Sequence, residues 1–177
     1  MYPFVRAGRI FARALTTRLD PALRSSTIAM RVWPNDLDTN AHMNNGRYLT
    51  LMDLGRLDLM TQCGLVRVVL KQRWFPVAGG VMIRFERPLH LFEKITLKSS
   101  IISWDEQWLY FNHDIFSGQQ RAARAFARCL FRTRGRSIPT TELMRHVRYE
   151  GKAPSSHESI LRWIEADQLM SQEETDP

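Results

Sequence analysis

The chain of 177 residues is long enough for one domain with a substantial hydrophobic core and short extensions. Its 25 Lys and Arg against 18 Asp and Glu give a formal net charge of +7, which favours anionic partners such as phosphates, acidic lipid or nucleic acid. The two cysteines, Cys63 and Cys129, exclude a disulfide framework, and no apolar run approaches the roughly 20 residues that cross a bilayer. We therefore expect a cytoplasmic protein with free, buried thiols. We expect no signal peptide, because Arg6, Arg9 and Arg13 interrupt the N-terminal segment where an apolar region should be.

Residues 1–24 form a basic segment with five arginines and a single acid, Asp20. Apolar residues recur in it at roughly helical spacing, which predicts an amphipathic helix ended by Pro21; these are Phe4, Ile10, Phe11, Leu15, Leu19 and Leu23. Such a helix packs on its own domain or on a partner subunit, or it lies on anionic lipid as a peripheral membrane anchor. An Arg-rich, acid-poor start is also typical of a mitochondrial transit peptide. We favour packing over membrane attachment, and the transit peptide least.

A strand is predicted from Ser25 to Trp33, and a helix from Asn44 or Asn45 to about Met60, because either asparagine is a suitable N-cap. The helix has an apolar stripe, which we expect to be buried: Tyr48, Leu51, Met52, Gly55 and Leu59. The polar residues predicted to lie off that stripe are Arg47, Asp53, Arg56 and Asp58. Gly55 within the stripe predicts close approach of a sheet.

A short helix or turn is predicted from Leu65 to Leu70, and strands follow it. Their predicted bounds are Phe75–Arg87, Lys94–Trp104, Trp108–Phe116 and Arg121–Arg134. The pair Gly79-Gly80 predicts a bulge or a close approach in the first of them. One long helix beside consecutive antiparallel strands predicts an α+β domain, in which the helix covers one face of a curled sheet.

The pattern weakens beyond residue 136. A linker is predicted at Pro154-Ser155-Ser156, then a helix from Ser156 or His157 to Met170, and a disordered acidic end. These observations divide the chain into a basic segment (1–24), a central domain (25–136) and a C-terminal extension (137–177). We find no internal repeats and no metal-ligand spacing.

The loop from Asp36 to Tyr48 puts two carboxylates, three asparagines and a histidine between the predicted strand and helix. Backbone N–H groups at a helix start, together with the helix dipole, stabilise a developing oxyanion. Asp38 is suited to attack an electrophile or to activate a water, Asn40 to orient the water or the carbonyl, and His42 to transfer a proton. This is the layout that acyl transfer needs. Asp and Asn are also the commonest turn and cap residues, and composition alone favours an ordinary loop.

The motif Asp38-x-Asn40-x-His42-Met43-Asn44-Asn45-x-x-Tyr48 resembles the signature of hotdog-fold thioesterases. One similar branch is typified by 4-hydroxybenzoyl-CoA thioesterase, with a catalytic aspartate in an Asp-x-Asp loop before the central helix. The loop is more similar to that of plant acyl-ACP thioesterases, Asp-x-Asn-x-His-Val-Asn-Asn, which carries catalytic Asp, Asn and His. With Asn35-Asp36-Leu37, Cys63-Gly64 and Ser103-Trp104-Asp105, the chain also resembles the thioesterase superfamily member 6-like proteins, over about residues 25–136.

The resemblance implies that Asp38 is the essential carboxylate and that Asn40 and His42 are its catalytic partners. It implies that the backbone N–H of Asn45 is the oxyanion donor. The plant enzymes draw a further acid from a later strand, for which Glu86 is the nearest candidate here. Asp36 we expect to be structural.

The resemblance further implies a sheet wrapped around the central helix, and a homodimer or tetramer with active sites between subunits. The implied substrate is an acyl thioester of CoA or of an acyl carrier protein, with no cofactor and with a role in fatty acid metabolism. Candidate acyl-pocket residues, for which core packing is an equal alternative, are Tyr48, Leu51, Met52 and Leu54. Candidate phosphate contacts, for which a solvated strand face is the commoner explanation, are Arg121, Arg124 and Arg128, followed by Arg132, Arg134 and Arg136.

The sequence thus supports two function hypotheses from different classes. The first is a thioester hydrolase that uses Asp38. The second is a non-catalytic acyl-CoA-binding or lipid-binding scaffold on the same fold, which meets membranes through residues 1–24. A nucleic-acid binder is not expected, because no aromatic-plus-basic motif of a known reader is present.

Overall fold

The computed structural model describes residues 4–16, 20 and 25–173. In chain order, its helices and strands are α1 (Phe4–Thr16), β1 (Ser25–Arg31), a 3-10 turn (Pro34–Asp36), α2 (Asn45–Gln62), α3 (Leu65–Gln72), β2 (Phe75–Phe85), β3 (Lys94–Trp104), β4 (Leu109–Ser117), β5 (Gln120–Thr133), β6 (Arg136–Ile138), α4 (Thr140–His146) and α5 (Glu158–Glu173). None of the helices in these described ranges combines the length and the apolar character needed to span a bilayer. Pro21 and the end of the acidic tail lie outside the described residues.

All six strands belong to one antiparallel sheet, in the order β1-β3-β4-β5-β2, with β6 also paired to β5. Strands β3, β4 and β5 form a meander, and the turn at Gly118 lies in the hairpin between β4 and β5. Strand β2 pairs with β5 rather than with the next strand in the chain, so β2 and β1 end the sheet on opposite sides. The register of β2 shifts between Ala78 and Gly80, which confirms the predicted bulge.

Helix α2 lies against the sheet through the predicted stripe, and all five stripe residues are buried. A Cβ on Gly55 would overlap the Ser99 hydroxyl and lie 2.8 Å from Leu97 Cδ2, so the close approach of the sheet is confirmed. The prediction for Asp58 was wrong, because this residue is buried although we expected it off the stripe. It lies one turn after the buried Leu54, and the Gln62 amide donates to its Oδ2 at 2.6 Å.

Two clusters of buried residues make the core. The first surrounds the N-terminal half of α2 and includes Ala7 and Ile10, so the described part of α1 packs on its own domain. The second surrounds the C-terminal half of α2 and includes residues of α3, β6 and α4. Sequence patterning missed β6 and α4, because elements of three and seven residues are too short to establish a period.

Helix α5 is held against the outer side of the sheet by Asp167, which accepts a hydrogen bond from Arg128 of β5 at 2.5 Å. The Arg128 guanidinium also lies 4.6 Å from the ring centroid of Trp108 and 5.7 Å from that of Trp163. Both cysteines are buried and free. Burial raises the pKa of Cys63 to about 11 and also raises that of Cys129.

Candidate active site

The loop between β1 and α2 is shaped by the Asp38 carboxylate. Its Oδ1 accepts a hydrogen bond from the Asn40 N–H at 2.8 Å and a longer one from the His42 N–H at 3.4 Å. The Asp38 N–H in turn donates to the His42 carbonyl at 2.8 Å. Asp38 therefore has the ordinary turn-forming role of an aspartate, but only one of its two carboxylate oxygens takes part in it. None of the described residues donates to Asp38 Oδ2, and the side chain is half-buried.

The start of α2 supplies a free backbone donor beside this loop. Asn44 is the N-cap, and its side-chain oxygen accepts the Gly46 N–H at 2.9 Å. Asn45 is the first residue of α2, and its N–H donates to no acceptor within the described part of the chain. A free N–H at the positive end of an 18-residue helix is suited to hold an anionic oxygen.

His42 meets a second histidine that the sequence interpretation missed. The rings of His42 and His90 lie edge to face, with their centroids 4.9 Å apart. Their backbones form an isolated β-bridge, and the Met43 N–H donates to the Leu89 carbonyl at 2.8 Å. The segment between β2 and β3 therefore forms one wall of the loop. No local pattern marks His90, because its role depends on a contact between residues 48 positions apart in the chain.

The further acid suggested by the resemblance is paired elsewhere. Glu86 lies just after β2, and its Oε1 accepts the Arg121 Nε–H at 3.0 Å. Its carboxylate therefore binds an arginine of β5. Asn40 is exposed, and its backbone N–H is bound by Asp38.

Asp36 has the structural role that we expected. It is fully buried, and it binds two arginines, Arg6 of α1 and Arg47 of α2, at 2.6 and 2.7 Å. The Trp33 N–H donates to it as well, at 2.9 Å. Burial alone would raise the pKa of the Asp36 carboxyl, but the hydrogen bonds from Arg6, Trp33 and Arg47 outweigh burial and hold that pKa below its ordinary value of 3.8.

The candidate acyl-pocket residues lie in the first core cluster. All four are buried there, namely Tyr48, Leu51, Met52 and Leu54. In the single chain they are therefore core residues. The Tyr48 ring packs edge to face on Phe85 at the end of β2, at 5.0 Å between centroids. The pKa of Tyr48 is raised, chiefly by burial.

Each of the three candidate phosphate contacts already binds a carboxylate within the chain. Arg121 pairs with Glu86 at 2.8 Å, Arg124 with Asp114 at 2.7 Å, and Arg128 with Asp167. A phosphate at these arginines would have to compete with those partners. Among the described residues, no three His, Cys, Asp or Glu side chains cluster as metal ligands would.

A buried polar group under α2 was also missed. His113 of β4 is fully buried, with its Nδ1 2.9 Å from the Ser99 hydroxyl and its Nε2 3.2 Å from Arg56 Nη1. Because a guanidinium only donates, Nε2 must accept, and Nδ1 carries the proton that goes to Ser99. Burial, and then the charge of Arg56, hold the pKa of His113 well below its ordinary value of 6.5. The alternation Leu109, Phe111, His113, Ile115 was the signal, because it puts the histidine on the inward face.

The profile of the thioesterase-like superfamily matches residues 32–164 of the chain. Protein THEM6 of Xenopus laevis is 25% identical over 174 residues, which cover 96% of this chain and 82% of the relative. Protein THEM6 of Drosophila melanogaster is 24% identical over 164 residues, which cover 92% and 84%. The predicted likeness to the member 6-like proteins is therefore confirmed.

Several solved structures have a fold similar to that of this chain. The crystal structure of a probable thioesterase from Bartonella henselae has a TM-score of 0.61 at 19% identity, covering 65% of this chain and 98% of that one. A 4-hydroxybenzoyl CoA thioesterase mutant complexed with 4-hydroxybenzoyl CoA has a TM-score of 0.63 at 15% identity, covering 70% and 98%. At these identities the likeness establishes the fold, and it confirms the predicted hotdog arrangement of a curled antiparallel sheet around α2.

Proposed function

Because the chain belongs to the thioesterase-like superfamily, we propose that it is a thioester hydrolase that cleaves an acyl thioester with Asp38 as its essential carboxylate. The substrate is a thioester of CoA or of an acyl carrier protein, and the products are a carboxylate and a free thiol. One observation carries the proposal. Asp38 uses Oδ1 to hold the loop, while no described residue binds its Oδ2. The free N–H of Asn45, at the start of α2, lies seven residues further along the chain.

The reaction has two routes with the same residues. In one, Asp38 attacks the thioester carbon and the thiolate leaves, giving an acyl-enzyme anhydride that water then hydrolyses. In the other, Asp38 removes a proton from a water that attacks the carbon directly. In both, the Asn45 N–H binds the carbonyl oxygen as it becomes negative, and Asn40 orients the water. His42 gives a proton to the leaving thiolate and regains one from the attacking water, directly in the first route and by way of Asp38 in the second. No cofactor takes part.

The acyl group meets the first turns of α2, and its carrier phosphates meet the basic face of β5. Tyr48, Leu51 and Met52 are buried in the core beside these turns, so they form the wall of the acyl site only where the core opens to admit the acyl group. On the basic face of β5, Arg121, Arg124 and Arg128 would exchange a carboxylate partner for a phosphate when the substrate binds. The net charge of +7 supports an anionic carrier, because it raises the local concentration of one.

The working unit in this proposal is a homodimer, which can pair further into a tetramer. Strand β2 is the support: it is 11 residues long, it ends the sheet, and it carries exposed apolar side chains, namely Phe75, Val81, Met82 and Phe85. A long apolar edge strand is a template for pairing with another chain. Because Phe85 of β2 contacts Tyr48, pairing there would bring a second subunit beside the site.

We place the protein in the cytoplasm, in peripheral contact with membranes through α1. On its outward side, Phe4 is 72% exposed, Val5 78% and Phe11 48%. Arg9 is exposed on the same helix. An apolar face beside arginines fits the boundary of an anionic bilayer. The same face supports the alternative function, a non-catalytic lipid or acyl-CoA binder, which tight acyl-CoA binding without turnover would identify.

Two substitutions of Asp38 test the function. In Asp38→Asn the amide oxygen still accepts the Asn40 N–H, so the loop persists, but neither attack nor proton removal is possible. We expect kcat to fall at least about 10³-fold with an unchanged melting temperature, and Asp38→Ala to abolish hydrolysis while the fold remains intact. The measurement is hydrolysis across short, medium, long and aromatic acyl-CoAs. Wild-type turnover in Asp38→Asn would refute the assignment.

Labelled water separates the two routes. A single turnover in H₂¹⁸O puts label into the Asp38 carboxylate only if that carboxylate attacked the thioester carbon. Label found only in the product acid fits the general-base route and also an anhydride that water attacks at its acyl carbon, so label in Asp38 is the outcome that decides between the routes.

A further inference from the structure

Residues on both sides of the Asn45 N–H bind Asp36, one through its backbone and the other through its side chain. On one side, the Asn44 N–H donates to the Asp36 carbonyl at 2.9 Å. On the other, Arg47 donates to Asp36 Oδ1 from Nε at 3.0 Å and from Nη2 at 2.7 Å. The peptide between these contacts carries the proposed oxyanion donor, so Asp36 fixes where that donor points.

Helix α1 completes the same arrangement from outside the central domain. Arg6 donates to Asp36 Oδ2 from Nη2 at 2.6 Å and to Oδ1 from Nη1 at 3.2 Å. Its Nη2 also donates to the Arg31 carbonyl at the end of β1, at 2.9 Å. Ala7 and Ile10 are buried beside this contact, so α1 is docked by apolar packing and by a buried charge pair together. We call Arg6, Asp36 and Arg47 the Asp36 clamp.

We propose that Arg6 and Asp36 are positioning residues for the thioesterase reaction, and that the Asp36 clamp couples the docking of α1 to turnover. This inference rests on the proposed function. An oxyanion donor is effective only within about 2.7–3.1 Å of the developing charge, and small displacements of a positioned group cost up to about 100-fold in rate. Asp36 is fully buried, so loss of Arg6 leaves its carboxylate bound by Arg47 and the Trp33 N–H alone, and the helix start shifts.

The coupling makes a specific kinetic prediction. The carbonyl oxygen becomes an anion only in the transition state. Displacement of the Asn45 N–H therefore weakens binding of the transition state more than binding of the substrate. A loosened clamp should therefore lower kcat and leave KM nearly unchanged. The Asp36 clamp also makes the rate depend on α1, because separation of α1 from the domain breaks the contact of Arg6 with Asp36.

The test compares Arg6→Gln and Arg6→Lys with Arg162→Gln. The control removes an arginine of the same charge from the other terminal helix, α5, where Arg162 pairs with Glu158 and Glu165 outside the proposed reaction and binding sites. We expect kcat on a soluble short-chain acyl-CoA to fall about 10- to 100-fold in Arg6→Gln, with KM within about twofold of wild type. Arg6→Lys, which keeps the charge, should recover part of kcat. Arg162→Gln should keep the wild-type kcat and KM.

A second readout does not depend on activity. Amide hydrogen exchange at Asn44 and Arg47 should speed up in Arg6→Gln and stay at the wild-type rate in Arg162→Gln. Unchanged exchange and unchanged kcat in Arg6→Gln would overturn the inference, and so would an equal loss of kcat in Arg162→Gln. A wild-type protein that turns over no thioester would refute the proposed function instead, while the exchange measurement would still decide whether the Asp36 clamp holds the helix start.

Discussion

At the scale of single residues, Asp36 and Asp38 show how environment separates two identical side chains. Asp36 is fully buried, and two arginines and a backbone N–H bind its carboxylate and hold its pKa below the ordinary value. Asp38 is half-buried and binds only backbone N–H groups, all through Oδ1. A carboxylate with an uncommitted oxygen can react, whereas a fully paired one can only hold structure.

His113 gives a pH prediction at the same scale. Its pKa in the folded protein lies well below 6.5, so the unfolded chain binds the proton that the folded protein excludes. The stabilisation by neutral His113 is therefore present above pH 6.5 and is lost as pH falls below it, by up to about 1.4 kcal/mol per pH unit.

Replacement of His113 by Gln isolates this effect. The Gln oxygen can accept from Arg56 and its amide can donate to Ser99, but it cannot titrate. We expect the free energy of unfolding in urea to fall less in His113→Gln than in wild type between pH 7 and about pH 5. Equal slopes would show that another group carries the acid sensitivity.

At the scale of elements, α1 and α5 both expose apolar side chains, but only α1 belongs to a segment rich in arginine. Residues 1–24 hold five arginines and one acid, whereas residues 165–177 hold acids and no base. An anionic surface should attract the first helix and repel the second.

Vesicle binding tests that difference. We expect replacement of Phe4, Val5 and Phe11 by Ser to weaken co-sedimentation with phosphatidylglycerol-containing vesicles at least about tenfold, because each replaced side chain loses its transfer into the bilayer. The matched control replaces three exposed apolar residues of α5, Leu161, Leu169 and Met170, by Ser and should bind like wild type. Equal binding by both variants would contradict a role for α1. Loss of the wild-type oligomer in the α1 variant would identify the face as a subunit contact instead.

At the scale of the whole molecule, strand β2 is the edge through which we propose that the chain forms a dimer. Its outer edge and its exposed apolar side chains are what a second copy would cover, and an antiparallel pair of β2 strands would extend one sheet through both subunits.

Charge on that edge should prevent pairing. We expect wild type to have twice the chain mass of 20.7 kDa by light scattering, or four times that mass if dimers pair, and Val81→Lys/Met82→Lys to have the mass of a single chain. Leu70→Lys, at an exposed apolar residue of α3, is the control and should keep the wild-type mass. A monomeric wild type would contradict the proposed dimer.

The sequence by itself determined the main helices and strands, and it identified the loop before α2 as the candidate active site. Periodicity predicted the bounds of α2 and of β2 to β5 within a few residues. Gly55 predicted that a sheet lies close against α2. The motif from Asp38 to Tyr48 identified the family, because its spacing fixes a loop and a helix start that are close in the chain. These features depend on local geometry, which a short stretch of residues specifies.

Only the tertiary structure decided which distant residues meet. The pairing of β2 with β5, the contact of His42 with His90, and the ion pair of Asp36 with Arg6 each join segments about 30 or more residues apart. Burial of Asp58 and His113 also depends on which face of an element meets the core. No local pattern encodes such contacts, because they arise from the packing of the whole chain, in which buried charges must find partners wherever the fold brings them.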